Sequence, residues 1–526
     1  MKLFSQHKFS KVIAMAVLVL ILGSCRKQLD YTPEVFLSAQ QVYKDQAGAT
    51  AGVTGIYKQL QVLKASDYAL IGVIGTDEAR CTYQSQGYGA YWAGVTGLDV
   101  YDIQFNSQNG DVSGYWATCY QGIANANYAL QYIPQIKNFT DVTVQSRLMG
   151  EASFMRALFY FQLVQLYGDI PLRLQNMSFS DGVKRSPTAD VYKQIITDLK
   201  FAAANCWIKG KNQDPGRASV EAAKALLGKV YLTLHDYQNA KTTFDDLIQT
   251  GGLTLLTNYA DLFDGKHENN AESLFEIQYS TDAGNTQSLQ NLFGSYAGPP
   301  IPGEAFNKNT PGYGGSVVMA TTFYSDTVFD KVNDKRYTSS INHDRYDGSG
   351  NTMSWWVDPG LPTIKKYDIS SSDIDVNNSG KNLYYLRSAD VFLMYSEVLN
   401  ELGQTTDALV PLNKVRNRAR DVASNLETAL GHVPSQTELR NELLDERTRE
   451  LGGEGWRWFD LKRTGTLVQR VMAHNNPKAY YEAKNGSTDD PHPAQNVSAK
   501  NNLYPIPLSE LQNNQALNLN SQNPGY

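Results

Sequence analysis

The chain is short of the residues that build metal and thiol chemistry. Its seven histidines are scattered as His7, His235, His267, His343, His432, His474 and His492, with no HExxH pair, so a zinc-hydrolase ligand set is missing. Four cysteines, Cys25, Cys81, Cys119 and Cys206, show no CxxC spacing, which removes zinc-ribbon and thioredoxin-like readings. No GxSxG elbow and no phosphate-cradling glycine loop occurs, so the common nucleophile and nucleotide signatures are absent. Positive charge is not in surplus: the net charge is −6, against the basic footprint of a nucleic-acid binder. No metal and no cofactor is expected.

Tyrosine is what the chain has in excess, at 32 residues, together with 7 tryptophans. Each ring offers an apolar face and a polar tip, useful against sugars or protein surfaces and equally useful as core filling. The length of 526 residues suffices for a large core and corresponds to about three average domains.

The amino terminus reads as an address. Lys2, His7, Lys8 and Lys11 precede an unbroken apolar run, Val12 to Leu22, closed by Gly23-Ser24-Cys25. At ~1.5 Å per residue this run falls well short of a ~30 Å bilayer core, so it is a signal segment and not a spanning helix. Small residues directly before a cysteine resemble the bacterial lipobox, which implies cleavage before Cys25 and acylation of its thiol. Several acyl chains exceed the one-chain limit of marginal anchoring. Arg26 and Lys27 follow, a poor match to a strongly acidic surface-export signal. If Cys25 is lipidated, three cysteines remain, enough for at most one disulfide.

Further along, residues 26–44 read as a tether and about 45–175 as largely helical. Glu151 to Tyr167 is apolar at nearly every register, the mark of a helix buried on all sides, and Gly168-Asp169-Ile170-Pro171 stops it. Ser186 is expected as an N-cap with Pro187 at the first helical position. Leu227, Gly228, Tyr231, Ala240, Phe244 and Leu247 follow the spacing of a tetratricopeptide repeat. Tyr395, Ser396, Leu399, Ala408, Leu412 and Val415 repeat those offsets, with Leu402-Gly403 at the turn. A repeat cannot bury its face alone, so at least three stacked units are expected, the Glu151 segment supplying another. Between the two clear units, 256–380 turns rich in Gly, Pro, Asn and Ser, with strand-like runs such as Ser273 to Tyr279. Loops on a rigid frame are where binding residues concentrate.

Four segments carry a family resemblance: GEASFMRALFYFQLVQLYGDIPL (150–172), LRSADVFLMYSEVLNELG (386–403) with LNKVRNRA (412–419), ELLDERTRELGGEGWRWFDLKRTG (442–465), and LYPIPLSELQ with NPGY (503–526). With the lipobox they span the chain in the order of the SusD/RagB proteins, which the sequence therefore resembles. The resemblance implies a mostly α fold of tetratricopeptide-like helix pairs carrying a loop-rich region with short strands. It further implies a lipid-anchored outer-membrane protein facing the cell exterior. Such a protein captures glycans for a SusC-like TonB-dependent transporter and is not an enzyme. The parts expected are a signal peptide (1–24), a lipidated cysteine and tether (25–44), and an N-terminal helical part with one repeat unit (45–255). A loop-rich ligand-binding region (256–380) and a C-terminal part with the second unit and a closing segment (381–526) complete the chain.

Two constellations could carry function. Glu446, Glu450 and Glu454 are four apart, so they would share a helix face, and a carboxylate pair is what a glycosidase needs. Interleaved Arg447, Arg449 and Arg457 point instead to ion pairing, with Trp456, Arg457, Trp458 and Phe459 docking the helix end. The aromatic loops form the other constellation. Gly87-Tyr88-Gly89-Ala90-Tyr91-Trp92 sets three rings between small residues, just after Asp77, Glu78 and Arg80. Gly294-Ser295-Tyr296 and Gly312-Tyr313-Gly314 are similar, and Trp355-Trp356 follows Ser354. Rings so placed suit stacking on sugar faces, with Arg80 among the polar groups that would take hydroxyls. Trp92 is the first choice. Neighbours on a strand point opposite ways, so one of Trp355 and Trp356 is expected in the core. Capture of a non-sugar nutrient such as peptide on the same scaffold is the alternative, since fold does not fix ligand, with a surface hydrolase using Glu446–Glu454 behind it.

Overall fold

A helix buried on every side organises the molecule. In the computed structural model, which describes residues 38–81, 93–176, 181–211, 214–294, 314–315, 317–342, 362–368, 375–420, 424–474 and 496–526, this helix is α4, Val142–Tyr167. It follows α1 (Gln46–Lys64), α2 (Ala93–Val100) and α3 (Gly110–Tyr132). Asp141 caps its first turn by accepting from the Thr143 N–H, and Gly168 ends it at φ 72°, a left-handed geometry that suits glycine. From Gly150 to Tyr167 every residue is buried, as the all-round apolar pattern requires.

The remaining helices stack on this one in sequence. Following α4 come α5 (Thr188–Asn205), α6 (Val220–Thr233), α7 (Tyr237–Thr250), α8 (Ser388–Glu401), α9 (Thr405–Arg418) and α10 (Gln436–Leu451). Each packs on its neighbour: α3 on α4, α4 on α5, α5 on α6, α6 on α7, α7 on α8, and α8 on both α9 and α10. The pairs α6–α7 and α8–α9 are the two expected repeat units, and α4–α5 is the third. Gly228 is what lets α6 and α7 close up, since a Cβ there would stand 2.2 Å from the Phe244 ring. One apolar core runs through most of the molecule, and a second, smaller one lies among α8, α9 and α10. Tyrosine takes part heavily: Tyr115, Tyr160, Tyr167, Tyr259 and Tyr324 are fully buried, so much of the tyrosine excess is core filling.

Two local expectations change. Helix α5 begins at Thr188, because Pro187 is extended at φ −53°, ψ 143° and Ser186 is taken up in strand pairing with Ile170. The cap comes from Asp169, whose carboxylate accepts from the Thr188 N–H at 2.8 Å. One helical turn, Ala39–Val42, is formed by its own Ser38–Gln41 capping box inside the stretch expected as tether. Among the described residues no helix is long and apolar enough to cross a membrane, and Cys81, Cys119 and Cys206 are buried.

The strands are short and come in antiparallel pairs: β1 (Ala79–Cys81) with β5 (Val318–Ala320), β2 (Ile170–Pro171) with β3 (Arg185–Ser186), β4 (Ser273–Ile277) with β8 (Leu383–Arg387), and β6 (Ile341–Asn342) with β7 (Thr363–Ile364). The strand-like run at 273–279 is thus β4, and β8 feeds directly into α8.

Candidate functional site

The aromatic segments singled out in the sequence spring from one small platform. Strand β1 ends at Cys81, immediately before residues 82–92, and Cys81 pairs with Val318 at the start of β5, just after the segment that holds Tyr296 and Tyr313. At the other end of β5, the Ala320 N–H donates to the Pro362 carbonyl at 2.9 Å. Pro362 leads into β7, whose Thr363 pairs with Asn342 of β6, so residues 343–361 leave and return at this point. Three segments far apart in sequence therefore have described ends that lie side by side. Tyr88, Tyr91, Trp92, Tyr296, Tyr313, Trp355 and Trp356 themselves lie outside the described residues, as does Cys25.

Arg80 is the exception, and its place differs from the expectation. It is 1% exposed, with its guanidinium on Asp99 of α2 at 3.3 Å. Asp99 also accepts from the Gly75 N–H at 3.2 Å. The pair ties β1 to α2 on either side of residues 82–92, where a hydroxyl contact was expected of this side chain.

Beneath the roots sits the corner between α10 and α11 (Arg457–Arg463). Asp77 receives a bidentate grip from Arg457, Nε–Oδ1 and Nη2–Oδ2 both at 2.6 Å, the geometry that makes guanidinium–carboxylate pairs specific. The Trp458 N–H donates to Gly72 O at 3.1 Å. Glu78 accepts from the Gly453 N–H at 3.2 Å. Burial pushes the Glu78 carboxyl up to about 8, although Arg457 and the Gly453 N–H pull it down. Asp77 and Glu78 are thus parts of the platform, and Trp456, Arg457, Trp458 and Phe459 are buried in it as the helix-end docking expected.

The glutamate run belongs to the same platform. Glu446 and Glu450 lie on α10, whereas Glu454 falls in the turn beyond it, so the three do not share one helix face. They are joined by cations from elsewhere. Arg336, five residues before β6, reaches Glu446 at 2.7 Å and Glu450 at 3.0 Å. Lys366, just past β7, reaches Glu454 at 2.8 Å. Both roots of the 343–361 segment are thereby pinned to the α10–α11 corner. Arg387 at the end of β8 holds Glu450 at 2.5 Å, Glu454 at 2.8 Å and Glu272 at 3.0 Å, and Arg418 adds contacts to Glu450 and Glu272.

Of the arginines interleaved in the run, only Arg449 pairs with these acids, on Glu446 at 2.7 Å. Arg447 holds Asp390 and Asp460 instead. Burial by itself would raise the Glu446 carboxyl, but Arg336, Arg449 and Arg416 outweigh it and bring it to about 2. Glu450 is held lower still, burial being overcome by Arg418, Arg387 and Arg336. Glu446 and Glu450 have no solvent-accessible side chain. A glycosidase acid must reach the sugar and hold a proton near neutral pH, and these carboxylates do neither.

Arg336 and Lys366 belong to no periodicity or motif in the sequence, and Arg387, although inside the 386–403 signature, carries no local sign of the acids it would meet. Asp261, Asp264 and His267 bring ligand atoms within 4.8 Å of one another. Asp264, however, is taken up by the His267 ring at 2.8 Å and by the Lys266 and His267 N–H groups, the pattern of a surface turn.

The carboxy-terminal half, residues 271–526, matches the model of the SusD family, and residues 73–232 match a model described as "Starch-binding associating with outer membrane". The chain belongs to the SusD/RagB family. A SusD-like protein P2 from Formosa agariphila is 28% identical over 98% of this chain and 99% of its own. The starch-binding protein SusD of Bacteroides thetaiotaomicron is 25% identical over 75% of each chain. Among solved structures, a laminarin-binding SusD-like protein superimposes with a TM-score of 0.74 at 25% identity, covering 92% of this chain and all of that one. The helix pairs, the α10–α11 corner and the closing segment 503–526 are the parts of this SusD/RagB chain that the four sequence signatures marked.

Proposed function

We propose that this protein binds glycans through the aromatic loops and passes them to a SusC-like TonB-dependent transporter, working as a non-enzymatic lipoprotein anchored through Cys25 on the outer face of the outer membrane. The convergence of the loop roots carries the reading. Segments 82–92, 295–313 and 343–361 supply the aromatic residues; the first follows β1, the second precedes β5 and the third lies between β6 and β7, strands fixed to one ion-paired corner. The relatives support the ligand class, being named for starch and laminarin. The buried, arginine-bound glutamates support binding without hydrolysis.

Titration calorimetry with laminarin and with soluble starch tests this. Hydroxyl contacts largely exchange one hydrogen bond for another, so affinity rests on covering the apolar sugar face. Trp92→Ala is expected to weaken binding by about 1–3 kcal/mol, in the range of aromatic hot spots, with the melting temperature nearly unchanged. Binding of neither glycan, together with capture of a peptide digest, would overturn the ligand class.

A further inference from the structure

A concave site lies away from the roots of the aromatic segments. A cleft of about 390 Å3 opens between α1, the 214–217 turn and β4, and none of its residues comes from β1, β5, β6 or β7. Leu60, Phe275 and Ile277 form its floor, all buried, with the Tyr57 ring 6.3 Å from Phe275 and tilted by 50°. Lys58, Gln61, Gln278 and Asn285 form the rim. An apolar floor with a few convergent polar groups is the make-up of a small-molecule site, and the volume falls in the usual range.

The walls are fixed before any ligand arrives. The Tyr57 hydroxyl donates to Glu151 at 2.8 Å and accepts from the Ala218 N–H at 2.9 Å. Arg217 is spread over Glu151, Asp214 and Thr54 at 2.9, 3.1 and 3.0 Å. Gly216, at φ +84°, lies so low on β4 that a Cβ would stand 2.2 Å from the Gln278 side chain, so this position favours glycine twice over. Ligand-facing capacity remains on the rim. Lys58 donates to Gly284 O and to Asn285 Oδ1, and Gln61 donates to Gln278 O. Among the described residues this leaves one ammonium proton, the Asn285 side-chain N–H groups and the Gln61 side-chain carbonyl for another molecule.

Charge does not favour an ion: the two cations of the lining, Lys58 and Arg217, are matched there by two acids, Asp214 and Glu276, and Arg217 is spent on Glu151 and Asp214. The cleft also continues. Thr54 is shared with a shallow depression formed with Gln46, Ala47, Thr50, Ala51 and Thr140, so a track of mixed polar and small apolar residues follows α1 from Gln46 to Gln61, roughly 22 Å at the helical rise.

We propose that this cleft is a second carbohydrate subsite. It takes the C–H face of one pyranose of a neutral oligosaccharide on the half-buried Tyr57 ring, which Phe275 backs from beneath, its hydroxyls on Lys58, Gln61 and Asn285, and flanking sugars along the Gln46–Thr54 track. The proposal rests on the glycan-binding reading above and adds a place of contact independent of the aromatic loops.

Hydrogen–deuterium exchange of the full protein with laminarihexaose and with maltohexaose tests it. The expected result is protection of peptides covering 57–61 and 275–285, retained in Trp92→Ala. That protection should be lost in Lys58→Ala/Gln61→Ala, with affinity for the long polymer down roughly three- to tenfold from the missing hydrogen bonds. Asn285→Ala serves in its place if the double variant does not fold. If wild type binds neither oligosaccharide, the glycan reading itself fails. If it binds with protection confined to peptides at 79–81, 317–320 and 362–364, the subsite alone is overturned. Loss of cleft protection in Trp92→Ala, or its persistence in the folded rim variants, overturns it equally.

Discussion

At the scale of single residues, the chemistry is dominated by buried charge. Removing one partner of a buried ion pair leaves the other uncompensated, at a cost of up to about 3–5 kcal/mol. Glu446→Gln takes the main counter-charge from Arg336 and Arg449, so a lower melting temperature is expected, with glycan affinity kept in the folded protein. Reducing-sugar release should be undetectable in wild type and variant alike. Hydrolysis present in wild type and abolished in a folded Glu446→Gln would overturn the non-enzymatic reading.

Glu78 behaves in the opposite sense. Its neighbours are Asp77, Arg457 and Lys366, and burial raises it from 4.5 to about 8. The folded state therefore keeps a proton that the unfolded chain releases. The contribution to stability is whole below about pH 4.5 and is lost as pH rises towards about 8. Glu78→Gln keeps an acceptor for the Gly453 N–H and removes the titration. Thermal melts between pH 5 and 8 should show wild type losing stability relative to this variant, by a few kcal/mol in order of magnitude. Parallel pH profiles of the two proteins would refute the assignment.

At the scale of elements, the repeat units depend on close helix approach. Phe244 is fully buried, so the methyl of Gly228→Ala has to displace its ring, an overpacking change expected to cost about 1–3 kcal/mol. Gly55 is the control: it is exposed in the middle of α1, with nothing within 4 Å of an added Cβ. Gly55→Ala should therefore stabilise by roughly 0.5–1 kcal/mol through lower backbone entropy in the unfolded chain. Equal effects of the two changes in urea unfolding would contradict the close α6–α7 packing. The elements also show how far local pattern reaches. Helices α4, α6, α7, α8 and α9 were legible because their periodicity and stops are local. The start of α5 was not, because its cap, Asp169, lies 19 residues upstream and is brought to Thr188 by the β2–β3 pairing.

At the scale of the whole molecule, anchoring and partnership are the remaining expectations. Cys25→Ala should abolish metabolic labelling with palmitate and release the protein from the membrane fraction, since one thiol supplies the acylation point. Wild type should co-purify in mild detergent with a large TonB-dependent barrel. A variant still acylated and membrane-bound at wild-type levels would refute the anchor.

The sequence by itself determined the helix pairs, the loop-rich segment between them and the family, because apolar spacing, turn residues and contiguous signatures are properties of neighbouring residues. It also marked the aromatic segments as the unusual feature. Tertiary structure alone decided what holds them. Arg336 meets Glu446 across 110 positions, and Arg457 meets Asp77 across 380. Arg80 is turned from a contact residue into a clamp between β1 and α2 by Asp99. No local pattern encodes such pairs, because a buried charge is stabilised by whichever opposite charge the topology delivers to it, at any distance along the chain.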